Sequence, residues 1–255
     1  DTILLSWLKG EKSTGIYNAA NKLILQVKNI PIILGPALLP ALAEISFKDT
    51  PLLGRFLRRE MIYLSILLLP LCIATTILAD KIVVLLYGSD FDSSIILLKI
   101  LIWSSLFMVL ASAGFRALIA IKKANKVALV TGMAALVNIL LNFILIPSFS
   151  EKGAVFSILT TEFLVLVGVF YFLKKELNFD FQTLLSPFLK ISLSSLIMGG
   201  FLLEFRSLSL LISVPTGIII YVLGITIFKV IPKRDWETFK EMFSNFKERK
   251  SIKIG

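Results

Sequence analysis

Histidine is absent from this chain and cysteine occurs once, as Cys72 within an apolar run. Those two absences leave no disulfide framework and exclude zinc or Cys–His chemistry. Charged side chains are scarce as well, at 17% of 255 residues, where soluble domains carry about a quarter. Acids are the scarcer sign: 17 Asp and Glu stand against 27 Lys and Arg, a formal net charge of +10. Also missing are the short alternating segments from which an outer-membrane barrel is built.

Apolar residues fill the gap. They make up 56% of the chain and give a mean hydropathy of +0.88, the composition of an integral membrane protein. Several near-uncharged runs reach the ~20 helical residues needed to cross ~30 Å of hydrocarbon. The expected fold class is therefore all-α, a polytopic transmembrane bundle. Seven complete spans are expected at Tyr17–Pro40, Met61–Ala79, Ile95–Ile121, Val127–Pro147, Ala154–Leu173, Pro187–Leu203 and Leu208–Val230. Asp1–Leu8 is too short to cross and reads as the clipped end of another helix, so the chain is expected to be a fragment lacking an N-terminal part.

Polar connectors separate these runs, among them Lys9–Gly15, Glu44–Glu60, and a turn after Tyr87 with Gly88, Asp90 and Asp92. Pro31, Gly35 and Pro36 predict a kinked opening helix. Residues 232–255 are basic, with Trp236, Phe239, Phe243 and Phe246 at helical spacing. They suit either a helix lying in the membrane interface or a packed terminal helix. Three units are expected: 1–173, 174–231 as a final helix pair, and the tail 232–255.

The basic excess lies in the connectors, which points to membrane orientation and contact with anionic lipid headgroups rather than to nucleic acid. With alternate loops assigned to opposite sides, nineteen Lys and Arg fall on one side and six on the other. Lys22 and Lys28 remain inside the opening helix. The positive-inside rule then places the C-terminus in the cytoplasm.

The opening helix carries Asn18, Lys22, Gln26 and Asn29 at steps of four, four and three, which share one helical face. A cation and three amides are costly in lipid unless they face protein or water, and intramembrane ionisable residues mark transport pathways. Either the stripe lines a cavity, the favoured reading, or Lys22 snorkels to the outer headgroups while the amides bond neighbouring helices.

The order of motifs resembles a known family. A helix end DTILLS is followed by G-x-Y-N-A-A-x-K-L and a Pro-broken helix ending LLPALA. LLYGSDF comes next, then a basic turn, N-x-x-x-N before a helix-ending Pro, and a Gly-Ala pair opening the following span. Over nearly its whole length the chain resembles the C-terminal half of the multidrug/oligosaccharidyl-lipid/polysaccharide exporter superfamily. Its nearest likeness is to polysaccharide (O-antigen type) flippases, and lipid II flippases are more distant. The resemblance implies a clipped seventh helix and helices eight to fourteen of a fourteen-helix transporter.

By that resemblance Lys22 lines the central cavity and meets the diphosphate of a lipid-linked oligosaccharide, with Asn18, Gln26 and Asn29 beside it. Lys28 falls on another face and is given less weight. Asn138 and Asn142 lie four apart, a spacing that usually glues membrane helices. The resemblance also makes them, with Asp1, a candidate sodium site. Asn142 stands where an acid is common, however, and the hydroxyl of helix twelve has no match near Ile158. Glu162, next to Thr160 and Thr161, is expected to be either a proton-coupling carboxylate or an acid paired with a base such as Lys22 or Arg116.

The implied function is flipping a polyprenyl-diphosphate-linked oligosaccharide to the outer leaflet of a bacterial or archaeal cytoplasmic membrane. No bond is made, no cofactor is needed beyond a coupling sodium ion or proton, and a polysaccharide polymerase is a candidate partner. A multidrug exporter of the same superfamily would want acids and aromatics where this stripe offers a lysine and amides. A membrane enzyme of the pathway would need a compact acid/base constellation, and none appears.

Overall fold

Apolar runs can satisfy their backbone groups in lipid only as helices or closed barrels. The computed structural model describes residues 1–30, 38–39, 42–45 and 50–230, and it holds helices and no strand among them. The principal helices are α1 (Thr2–Lys28), α2 (Thr50–Tyr87), α3 (Ser93–Ala120), α4 (Ala124–Phe149), α5 (Glu151–Leu177), α6 (Gln182–Glu204) and α7 (Leu210–Ile227). Six of them, α2 to α7, are long and apolar enough to cross a membrane. The expected span Tyr17–Pro40 is described at Tyr17–Ile30 and Leu38–Leu39. Its Pro31, Gly35 and Pro36, like the tail 232–255, lie outside the described residues.

Two expected connectors are helical instead. The segment Lys9–Gly15 breaks only at Gly10, with φ 82° and ψ −176°, a conformation essentially restricted to glycine. The loop expected over Glu44–Glu60 is helical from Thr50, so Arg55, Arg58 and Arg59 stand on α2. Pro51 suits the first turn, where its missing N–H would have no partner. Leu53 and Leu57, one turn apart, are both fully buried, and that burial draws the helix back from the span proper. At 38 residues α2 is about 57 Å long, far more than the ~30 Å hydrocarbon layer.

Helix α3 is the centre of the bundle, packed against α1, α2 and α5. Small residues let the neighbours approach: Ser104, Ser105, Ala111, Ala113, Gly114 and Ala117 are all buried on it. A Cβ at Gly114 would sit 2.3 Å from Val169 Cγ1 of α5. Most buried serines turn their hydroxyls onto the preceding turn, as Ser105 does to Ile102 O (2.6 Å) and Ser157 to Gly153 O (2.9 Å).

Helix α4 lies at the periphery. It presents Val130, Ala134, Asn142 and Ile146 inward and most of its remaining surface outward. The final pair, α6 and α7, docks on α2. Tyr221 Oη donates to Ile66 O (2.6 Å), Lys81 Nζ donates to Leu208 O, and Arg206 pairs with Asp80 (2.7 Å). Between α6 and helices α2, α3 and α5 lies an apolar cleft of about 310 Å³, walled by Met61, Phe107, Phe170, Phe181 and Phe188 among others.

Candidate substrate face and polar cluster

The geometry of α1 follows from its two halves. Asp1 sits against Asn142 in α4, and eight residues later Lys9 Nζ reaches Pro147 O (2.7 Å), further along the same helix. Beyond Gly10 the chain returns, because Lys28 meets Glu162, the residue after Thr161, and Thr161 in turn holds Asn138. The two halves thus form a hairpin turned at Gly10, whose ends both fasten onto the Asn138–Thr161 level of α4 and α5.

One side of the returning arm is packed. Tyr17, Ala20 and Ile24 are at most 1% exposed, Ala19 is also buried, and Ser94 of α3 donates to Ile16 O (2.7 Å). The small Ala19–Ala20 step of the Y-N-A-A motif is what lets this arm press onto α3. The other side is open: Asn18, Lys22, Gln26 and Asn29 are all exposed. The four residues expected to form a stripe do so, on the face that this chain's own helices leave uncovered.

The polar cluster is chained by hydrogen bonds. Asn142 Nδ2 donates to Asp1 Oδ1 and to Asn138 Oδ1 (3.0 Å), Asn138 Nδ2 donates to Thr161 Oγ1 (3.3 Å), and Thr161 Oγ1 donates to Ser157 O (2.7 Å). Asn142 is 1% exposed, and its own Oδ1 has no partner. The structure brings Asp1, Asn138 and Asn142 together and adds Thr161. That hydroxyl lies one turn beyond Ile158. Its signal was the i+4 step from Ser157, which puts both on α5's face toward α4.

Chemically the cluster offers oxygens from a carboxylate, two amides and a hydroxyl with a single formal negative charge. That set fits a hard monovalent cation, with the unsatisfied Asn142 oxygen as an available ligand once its amide turns. No group of three or more His, Cys, Asp or Glu gathers among the described residues, so a carboxylate-rich divalent site is not formed there.

Glu162 has a base, but neither of the two expected. Its partner is Lys28, with Nζ 3.5 Å from Oε1 and side chains 13% and 22% exposed. Lys22 remains on the open face, and Arg116 is engaged elsewhere, bonded to Glu60 of α2 and to Ser112 Oγ (3.3 Å). Lys28, given little weight from its helical angle, is thus the cation that closes the hairpin onto α5. The angle was right about its face and silent about what lay opposite.

Comparison with known proteins agrees with this architecture. Residues 1–96 match a family model described as "Polysaccharide biosynthesis protein". No curated protein sequence matches significantly. Among solved structures the chain is similar to a lipid II flippase, MurJ, in an inward closed conformation. The TM-score is 0.72 at 20% identity, covering 88% of this chain and 49% of that one. The chain thus spans about half the length of the flippase it matches. The family signature covers residues 1–96, and the likeness to the lipid II flippase is one of fold over 88% of the chain.

Proposed function

We propose that this chain forms one lobe and the final helix pair of a flippase, which carries a polyprenyl-diphosphate-linked oligosaccharide from the inner to the outer leaflet of the cytoplasmic membrane. The observation that carries this reading is the open polar face of α1. Lys22 supplies a point charge for phosphate, while Asn18, Gln26 and Asn29 supply donors and acceptors for sugar hydroxyls. No other described helix exposes a cation and three amides together on one face. This face forms one wall of a cavity, and a second lobe would supply the wall opposite. Alternating exposure by rocking of the two lobes is the general logic of repeat-built transporters.

In this reading the transporter makes and breaks no bond. Asp1, Asn138, Asn142 and Thr161 would hold a coupling sodium ion, whose charge supplies the differential stabilisation that biases one lobe arrangement over the other. The C-terminus faces the cytoplasm, basic connectors meet anionic lipids, and a polysaccharide polymerase takes the delivered unit.

The test is genetic. In the full-length protein Lys22→Ala should abolish surface glycan, and Lys22→Arg should largely preserve it. Normal glycan in the Ala variant removes the cavity role. Drug resistance conferred by the wild type would point instead to a multidrug exporter.

A further inference from the structure

The ion pair that closes the hairpin is a poor one. Lys28 and Glu162 touch through a single contact of 3.5 Å, where charge-assisted N–H···O bonds run about 2.7–2.9 Å. The other described pairs between helices are tighter: Arg206–Asp80 is 2.7 Å and Lys123–Glu176 is 2.8 Å. Neither Lys28 nor Glu162 has another hydrogen-bond partner among the described residues. Both remain partly accessible, Lys28 at 13% on the arm that also bears the open stripe and Glu162 at 22% on α5. A lone cation inside a bundle needs a counter-ion, and Glu162 serves as one, with most of the hydrogen-bonding capacity of both groups unspent.

A diphosphate is a stronger counter-ion than a carboxylate, with more charge and more acceptor oxygens. Lys28 lies six residues from Lys22, about 9 Å along the helix and about 120° round it, at the end nearer the cytoplasm in the proposed orientation. Resting on the flippase reading above, we propose that Lys28 is a loading station for the substrate diphosphate, with Glu162 as its built-in stand-in. An arriving diphosphate displaces Glu162 from Lys28 and then advances to Lys22. Glu162 recaptures Lys28 behind it and opposes return. No proton or bond is exchanged; one ion pair replaces another.

The experiment uses the full-length transporter in phosphatidylcholine nanodiscs. The probes are geranylgeranyl diphosphate, with geranylgeraniol as the uncharged control. Lys28→Met should weaken diphosphate binding about tenfold, the loss of one charged contact, and leave geranylgeraniol unchanged. Lys28→Arg should bind close to wild type. Glu162→Gln removes the competitor and should tighten diphosphate binding about tenfold while slowing net flipping. The double variant should match Lys28→Met, since Glu162 acts only through Lys28.

A merely structural pair would show otherwise: both single variants would lower thermal stability, and Glu162→Gln would not gain affinity. Unchanged or weakened binding in Glu162→Gln overturns the exchange, as does unchanged binding in Lys28→Met. Should Glu162→Gln fail to fold, the contrast of Lys28→Met with Lys28→Arg decides alone. If the wild type binds diphosphate no better than the alcohol, the flippase reading falls too. If Lys22→Ala weakens binding while Lys28→Met does not, only the exchange falls.

Discussion

Removing Arg116 should unfold more of this protein than removing any exposed charge. Arg116 of α3 and Glu60 of α2 bond to each other with side chains only 8% and 7% exposed, and each keeps one atom without a partner, Arg116 Nε and Glu60 Oε2. Desolvating two charges offsets much of their attraction, so the pair as a whole contributes little net stability. Its rupture is another matter. Arg116→Met leaves a buried carboxylate without its cation and should cost about 3–5 kcal/mol, a drop of roughly 10²- to 5 × 10³-fold in the folded ratio.

The double variant Glu60→Leu/Arg116→Met removes both charges and should recover most of that loss or exceed wild-type stability. Unfolding in mixed detergent micelles, followed by helical signal across the full cycle of four proteins, measures the coupling directly. A single-variant loss below about 1 kcal/mol, or two losses that simply add in the double variant, would refute the argument from burial. Arg206→Ala provides the internal contrast. Its bond to Asp80 is short at 2.7 Å, yet the side chains are 50% and 33% exposed, and the expected loss is under about 1 kcal/mol, smaller still at high salt.

Two further outcomes follow from the packing and the polar cluster. Gly114→Leu drives a side chain into Val169, already 2.3 Å from a bare Cβ, and should cost about 1–3 kcal/mol or more by prising α3 from α5; thermal unfolding checks it. Asn142→Ala with Asn138→Ala should abolish any sodium dependence of flipping in proteoliposomes, and sodium-stimulated transport in that variant would dismiss the cluster as an ion site.

Much of the fold was legible because lipid imposes a simple grammar. A run of twenty apolar residues must be a helix, and connectors such as Lys122–Lys126 stand out by charge. Helix ends were less legible. Nothing local marks Thr50 as a start except Pro51, and what carries α2 back to it is the burial of Leu53 and Leu57 against other parts of the chain. The exposed polar stripe was legible because helical spacing alone puts Asn18, Lys22, Gln26 and Asn29 on one face.

Partner choice was not legible. Glu162 could have met Lys22, Arg116 or Lys28, and only the crossing of α1 against α5 brought Lys28 within reach while α2 brought Glu60 to Arg116. Thr161 joined Asn138 for the same reason, one turn from where a hydroxyl was sought. The sequence by itself determined the class, the six apolar spans from α2 to α7 and the polar face, since periodicity and hydropathy act within one helix. The tertiary structure alone decided which side chains meet, because a contact between helices depends on where two axes cross, and no residue's neighbours in the chain encode that crossing.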